Sequence, residues 1–536
     1  MTSHIPAWLK HAVLYQIYPQ SFSDSNSDGI GDLQGVIDRL DYIESLGVDV
    51  IWLNPFFDSP FNDAGYDVRD YYKVAPRYGT NEDFQWLCEA AHARGMKVIF
   101  DLVIGHCSWE NEWFIASGQA EPNEYSDWFI WSTTFMSREP ERLQIIRGYL
   151  PRMGGYVANF FVSQPAFNFG FAHPDPRKPW QQSVHAPGPM RVRQEVKNIV
   201  KFWLDLGADG FRADMALSLV KEDYDGDFTG EIWAEIHDWM AEEYPEAVII
   251  AEGGNPTVSV GKGKFHADFC LPFAMPGYST LFRRNFGWGP KSYDFNVFGP
   301  EGHGNIAQFF DEFTRHYKGM NGNGYMSIPV GNHDQSPRIS TGRSEDAVMM
   351  AFLFTFTMPG VPNVYYGDEI GMRSVESAPI KEGSMMRAMV RTPMQWDDSK
   401  NAGFSSAEAE ALYLPIDPEE VRPTVAAQEE NPNSMLNRMR ALIKLKKEHK
   451  ALDADADYQF IYPGADLYPI VYRRWKGDES LLIAINPTAK VQSMVVEWDA
   501  PAVECLFGQS DGVQQVDETH WKVVLPPETG GVYRKL

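Results

Sequence analysis

Four short strings place a carboxylate or an imidazole where an apolar run ends: DLVIGHC (101–107), GFRADMA (210–216), IIAEGG (249–254) and VGNHDQ (330–335). Arg212 and Asp214 are two residues apart, so on a strand both point to the same face. A cation beside a carboxylate favours ionisation, which a nucleophile requires. The spacing therefore predicts a lowered pKa for Asp214. Glu252 ends an apolar run and precedes Gly253 and Gly254. Partial desolvation there would raise its pKa and keep the proton that a general acid needs. Asp334 follows His333 and can bond hydroxyls or oppose developing positive charge. Two carboxylates flanking a bond is the logic of glycoside hydrolysis through an oxocarbenium-like transition state. Any one of these residues alone reads equally well as a cap or a structural ion pair. Four in succession at run ends read as a catalytic rim.

A fifth string, DSNSDGIGD (24–32), carries Asp24, Asn26, Asp28 and Asp32 at even spacings with Gly at the turns. Hard oxygen donors in this arrangement suit Ca²⁺ or Mg²⁺. The string starts like an EF-hand loop, but Gly35 stands at the twelfth position in place of Glu. The plainer alternative is a solvated turn that caps the next helix. Cys88, Cys107, Cys270 and Cys505 are far apart, form no CxxC pair and are read as reduced thiols.

The elements that must position these residues follow a β-α-β-α rhythm. Apolar runs at 12–19, 49–55, 97–104, 208–215, 247–252, 267–273, 325–330 and 361–366 predict eight strands. Helical spacing predicts helices over 32–46, 81–95, 192–206 and 435–447. Eight such units close a (β/α)8 barrel, an α/β fold whose chemistry sits at the C-terminal strand ends. The rhythm stops between about 106 and 170, which predicts a small inserted domain after strand 3. The first part of the barrel is then 1–105, and its second part 171–454. A further insertion, 373–430, follows strand 8. From 455 to 536 short alternating strands predict an antiparallel β-sandwich domain.

The formal charge of −26 over 536 residues argues against nucleic acid, which needs clustered Lys and Arg. It predicts a self-repelling, soluble surface, with a high-salt habitat as the sharper alternative. The N-terminal MTSHIPAWLKHAVLYQIYP lacks a basic region leading into an apolar stretch, and no apolar run spans a bilayer. These features predict a cytoplasmic protein, monomer or homodimer, with no membrane partner and no organic cofactor.

The chain resembles the alpha-amylase family of glycoside hydrolases, and within it the oligo-1,6-glucosidase and α-glucosidase group. The strings that carry the resemblance are YQIYPQSFSDSNSDGIGDLQG, GVDVIWLNPFFDSP, AGYDVRDY, DLVIGHCS, GFRAD, AEG, NHD, YYGDEIGM and RTPMQWD with NAGFS, spread from residue 15 to about 405. The resemblance implies that Asp214 is the nucleophile, Glu252 the acid/base and Asp334 the transition-state stabiliser. It implies that His106, Arg212 and His333 contact the cleaved glucose and that Tyr66 stacks on it. It implies that Asp63 and Arg391 hold the far hydroxyls of a terminal glucose and close the pocket. It implies a structural metal in the 24–32 loop, with the Ile30 carbonyl as a further ligand. The implied substrates are short α-glucosides, cleaved with retention; transfer or isomerisation by the same triad is the rival activity. A non-enzymatic relative is disfavoured, because the full triad is present. Three departures stand out. Gly105 replaces the family's Asn before His106, which puts a second calcium in doubt. Met215 follows the nucleophile position, where relatives carry residues that set linkage. QPAFN (164–168) stands where the family has QPDLN, behind a segment unlike the family's.

Overall fold

Eight short parallel strands form the centre of the computed structural model, which describes residues 4–133, 143–282, 296–461 and 468–536. They are β1 (Leu14–Ile17), β2 (Val50–Leu53), β3 (Lys97–Leu102), β4 (Gly210–Ala213), β5 (Val248–Ala251), β6 (Ala267–Phe269), β7 (Tyr325–Ser327) and β8 (Asn363–Tyr365). Their order in the sheet is β7-β6-β5-β4-β3-β2-β1-β8, and the pairings are parallel. The Val361 amide donates to the Met326 carbonyl at 2.9 Å, which brings the two outer strands together and closes the ring. Each strand is shorter than the apolar run that foretold it, because the ends of the runs turn outward into loops.

Nearly every strand residue is buried, as expected for a parallel sheet covered on both faces. Side chains alternate between two cores. Leu14, Val50, Trp52, Ile99, Val248, Ile250, Ala267 and Phe269 fill the barrel interior. Tyr15, Ile17, Ile51, Leu53, Val98, Phe211 and Ile249 pack outward against the helices.

The helices start where their caps require. Thr80 and Asp83 form a capping box that opens the helix Asn81–Ala93. Pro187, whose missing N–H is harmless at a helix start, opens Pro187–Asp205 five residues before the apolar spacing begins. The single helix expected over 32–46 is two, Leu33–Asp38 and Leu40–Leu46. The break falls at Arg39 (φ −109°, ψ 8°), whose guanidinium reaches the Gly403 carbonyl and lies 4.2 Å from the Trp396 ring.

Between β3 and the helix Pro187–Asp205, a helix (Glu112–Ser117) and a three-stranded antiparallel sheet (Trp131–Ser132, Gly155–Ala158, Gln144–Arg147) stand over the strand ends. At the C-terminus a five-stranded and a three-stranded antiparallel sheet enclose Val471, Leu482, Ala484, Val496, Trp498, Trp521 and Val523. The buried helix Glu345–Thr357 packs the barrel against the larger of these sheets. Among the described residues, no helix is long and apolar enough to cross a membrane. All four cysteines are free, and three of them are buried.

Trp203 anchors the outer core. The rings of Phe56, Phe57, Phe84 and Phe100 lie 5.2–5.5 Å from it, and its indole N–H donates to the Tyr71 carbonyl. Trp203→Ala is expected to destabilise the barrel by about 3–5 kcal/mol and to lower Tm by several degrees in a thermal melt. An unchanged Tm would show that the cluster relaxes into the space.

Candidate active site

Strand alternation builds the site. On β3, Ile99 and Asp101 share the inner face; on β4, Arg212 and, just beyond it, Asp214 do; on β5, Val248 and Ile250 lead to Glu252. The barrel interior is therefore apolar below and ionic at its C-terminal end. Ala213 and Ala251 are register partners, which sets Asp214 and Glu252 side by side as the next residues on neighbouring strands. One guanidinium joins them. Arg212 Nη1 lies 3.1 Å from Asp101 and 2.9 Å from Asp214, and Nη2 lies 3.1 Å from Glu252. Asp101 also accepts from the Trp52 indole, the Asn54 amide and the Tyr66 hydroxyl. Glu252 accepts from the Met215 amide at 2.9 Å. To aim that amide, Met215 adopts φ 43°, a costly conformation for a side chain of its size. Gly253 and Gly254 donate to Asp268, which pins the turn after Glu252.

Protonation differs from the sequence expectation at one residue. Burial and the charge of Glu252 push the Asp214 carboxyl well above its ordinary pKa, against the pull of Arg212. The lowered pKa expected from Arg212 alone left out the second carboxylate on the same cation. Burial also raises Glu252; Arg212 opposes the rise and the charge of Asp334 adds to it. Burial would raise the Asp334 carboxyl, but the guanidiniums of Arg387 and Arg391 outweigh it and hold the group well below the usual range. Two close carboxylates on one guanidinium share a proton. The fixed charge of Asp334 raises Glu252 directly. With that proton on Glu252, the charge that raises Asp214 second to burial is gone.

The imidazoles are neutral, because burial drives His106 down to about 4 and His333 well below its ordinary value. Tyr66 donates to Asp101 at 2.7 Å, so His333 Nε2 donates to Tyr66 and Nδ1 accepts from Gln16. The Tyr66 and His333 rings are parallel within 9°. His106 Nε2 donates to the Tyr66 carbonyl. Its Nδ1 accepts from the Asn159 amide, whose oxygen accepts from Lys221. Both nitrogens of His106 are thus spent inside the protein, and His106 is among the residues that line the pocket.

The far wall is built from a different arginine than expected. Asp63 accepts from Gln164 at 2.8 Å and pairs with Arg387 at 3.0 Å. Arg391 instead lies behind Asp334, 2.8 Å from its carboxylate, and donates to the His333 carbonyl. Arg387 also reaches Asp334, at 3.1 Å, and so ties Asp63 to Asp334. The chain brings Arg387 there on the short helix Met385–Val390 in the insertion after β8. That segment, EGSMMRAMV, has no periodicity and gave no sequence signal. Asp101, Gln16, Asn54, Asn159 and Gln164 were also missed as contacts. Asp101 and Gln164 had a signal, each as the first residue of a string already singled out, DLVIGHC and QPAFN.

The 24–32 loop turns its side chains onto its own backbone. Asp24 accepts from the Asn26, Ser27 and Gly29 amides, Asn26 from Asp28, and Asp28 from Ile30. Asp32 accepts from Ser25 and caps the helix Leu33–Asp38 through Gly35. Asp24 and Asp32 are buried, and burial together with the charge of Asp24 raises the Asp32 carboxyl, against its bonds from Gly35 and Ser25. Among the described residues no three His, Cys, Asp or Glu groups converge as a metal site.

The rim encloses a pocket of about 450 Å³, lined by Asp63, Tyr66, His106, Asp214, Glu252, Asp334 and Arg387 together with several apolar side chains. Residues 16–455 match the family model "Alpha amylase, catalytic domain". The chain is 32% identical over 545 residues to an oligo-1,6-glucosidase of Parageobacillus thermoglucosidasius, covering 90% of this chain and 91% of that one. It is 33% identical over 493 residues to a trehalose synthase/amylase of Mycolicibacterium smegmatis, covering 83% and 77%. An isomaltulose synthase mutant of Erwinia rhapontici NX5, solved with sucrose, superposes with a TM-score of 0.78 at 26% identity over 99% of both chains.

The two arginines are expected to behave differently on removal. Arg391→Ala leaves Asp334 without its most buried partner and is expected to destabilise by about 3 kcal/mol, at the lower end of the cost of breaking a buried pair. Arg387 is more exposed, so Arg387→Ala should lower Tm less. It should lower kcat/KM at least tenfold, the loss of about one charge-assisted hydrogen bond. Thermal melts and steady-state kinetics on both variants check the order.

Proposed function

The chain belongs to the alpha-amylase family of glycosidases, and from that premise we propose that it is a retaining, exo-acting α-glucosidase of short α-glucosides. The observation that carries this reading is the Arg212 fork, which holds Asp214 and Glu252 at adjacent strand ends. Two carboxylates within reach of one guanidinium have the close placement of a retaining pair, whose carboxyls stand ~5–5.5 Å apart. Inverting pairs stand ~6.5–9.5 Å apart to admit a water.

In the proposed reaction Asp214 attacks the anomeric carbon while Glu252 gives its proton to the departing oxygen. The bond to the leaving group breaks as the bond to Asp214 forms. Glu252 then takes a proton from water, and the oxygen of that water displaces Asp214. Two inversions leave the configuration unchanged. Asp334, held ionised, opposes the positive charge that develops on the sugar ring. Asp63, Gln164 and Arg387 close the pocket behind one glucose, which supports action at chain ends. Likeness to a trehalose synthase/amylase and an isomaltulose synthase favours a second reading. There the same glucosyl-enzyme is captured by a sugar hydroxyl in place of water.

We also propose that the 24–32 loop takes a structural Ca²⁺ or Mg²⁺ on Asp24, Asn26, Asp28, Asp32 and the Ile30 carbonyl. Two buried carboxylates in an all-oxygen loop support this; the cation takes no part in the chemistry. A cation that binds only the folded chain raises Tm, so chelation is expected to lower Tm, and added Ca²⁺ to restore it. An unchanged Tm would leave the loop a helix-capping turn.

Hydrolysis of methyl α-glucoside followed by proton NMR should release α-glucose first; initial β-glucose would overturn the retaining assignment. Maltose should be consumed rapidly, while soluble starch keeps its viscosity. The acid limb of kcat/KM should report Asp214, whose nucleophilic form is lost as pH falls. The alkaline limb should report Glu252, whose proton is lost as pH rises through its raised pKa. With α-glucosyl fluoride, whose leaving group needs no proton, Glu252→Gln is expected to lose the alkaline limb while turnover persists.

A further inference from the structure

A second cavity, of about 290 Å³, shares no lining residue with the glucose pocket. Three arginines line it: Arg343, Arg373 and Arg422. They come from the loop after β7 and from the two ends of the insertion 373–430. On a chain with a formal charge of −26, three guanidiniums around one small cavity are a local reversal of sign. Two carboxylates stand against them. Glu345 lines the cavity, and Asp417 accepts from Arg373 at 3.0 Å. Among these five groups the balance is positive.

The backbone adds to that balance. Two helices begin at the cavity: Glu345–Thr357, whose Glu345 and Val348 line it, and Met435–Glu448, whose first residue lines it. Helix starts carry unpaired N–H groups and the positive end of the macrodipole, and anions gather there. Two side chains independently point to a ligand. Ser340 is 7% exposed and lines the cavity, yet its hydroxyl has no hydrogen-bond partner among the described residues. The Arg422 Nε is likewise buried without a partner, and among the described residues no carboxylate pairs with that guanidinium. A buried donor left unpaired costs free energy. A ligand rich in acceptor atoms would satisfy both.

A phosphate group suits such a wall. It carries about −1.5 to −2 charge at neutral pH and three strong acceptor oxygens, where a carboxylate offers two. Guanidinium donors meet it in charge-assisted pairs. Val348, Ile370, Val421, Pro423 and Met435 supply the apolar part of the wall, and the volume is near the lower end, about 300 Å³, of small-molecule sites. We propose that this cavity binds a phosphate group, carried by a small monoester or as the free ion. Bound there, it ties Arg373 and Arg422, at the two ends of the insertion that carries Arg387, to Arg343 on the loop that carries Asp334.

Calorimetric titration of the full chain tests the site. Glycerol 3-phosphate and inorganic phosphate are added in separate runs at constant ionic strength, with acetate and glycerol as controls. The expected result is saturable binding of a phosphate and none of either control at the same concentration. Tighter binding of glycerol 3-phosphate supports the site as one for an ester; equal or tighter binding of inorganic phosphate supports it as one for the free ion. Arg422→Gln strands no carboxylate and is expected to weaken phosphate binding about tenfold or more, the loss of one charged hydrogen bond. Ser340→Ala removes a hydroxyl that bonds nothing in the unliganded chain. It is expected to weaken phosphate binding without lowering the Tm of the unliganded protein. No saturable binding of either phosphate, or acetate bound as tightly, overturns the proposal. Undiminished phosphate binding by both variants puts the anion elsewhere and overturns it as well.

Discussion

The site depends on one cation shared among too many anions. Arg212 contacts Asp101, Asp214 and Glu252 with its two terminal nitrogens. Asp334 and Asp63 are bound in turn to Arg387 and Arg391. Five carboxyl groups thus meet three guanidiniums, and both histidines are neutral. A proton on Glu252 leaves four negative charges against three positive ones. The remaining negative charge faces a pocket in which a sugar ring would develop about one positive charge. Low local dielectric makes that match stronger than it would be in water. The proposed chemistry is therefore a property of the whole charge set, and no single carboxylate carries it.

The barrel supplies the rigidity that this balance needs. A guanidinium can hold two carboxylates only if the strands beneath it cannot slide. Here each strand is buried on both faces, with an apolar interior below the ionic layer. The loops are fixed at the points where the chain must turn. Asp268 fixes Gly253 and Gly254 after Glu252, and the Met215 amide bonds Glu252 from a strained backbone. Arg77 binds Glu382 at 2.6 Å, which holds the insertion after β8, and with it Arg387, over the rim. The inserted segment after β3 contributes Gln164 and Asn159, which orient Asp63 and His106.

What was legible in the sequence follows from these constraints. All eight strands were readable because burial on both faces demands continuous apolar runs, and a charge at the end of such a run is conspicuous. Asp214, Glu252 and Asp334 were found in this way, and the structure gathers them in one pocket. Arg387 left no trace, since a residue on an aperiodic insertion is placed by tertiary contacts alone. For the same reason Asp63 was assigned Arg391 as its companion on resemblance, when that arginine lies behind Asp334. The shift of Asp214 was misjudged because adjacency along the chain shows Arg212 but not Glu252, thirty-eight residues on and one strand away.

The central claim is that Asp214 attacks the sugar while Glu252 carries the proton. The most direct measurement is intact-protein and peptide mass spectrometry of the Glu252→Gln variant after incubation with α-glucosyl fluoride. With the acid/base gone, the second step slows, and the account predicts one added glucosyl residue on the peptide that contains Asp214. Hydrolysis of the fluoride to β-glucose with no adduct, or an adduct on any other peptide, would contradict it.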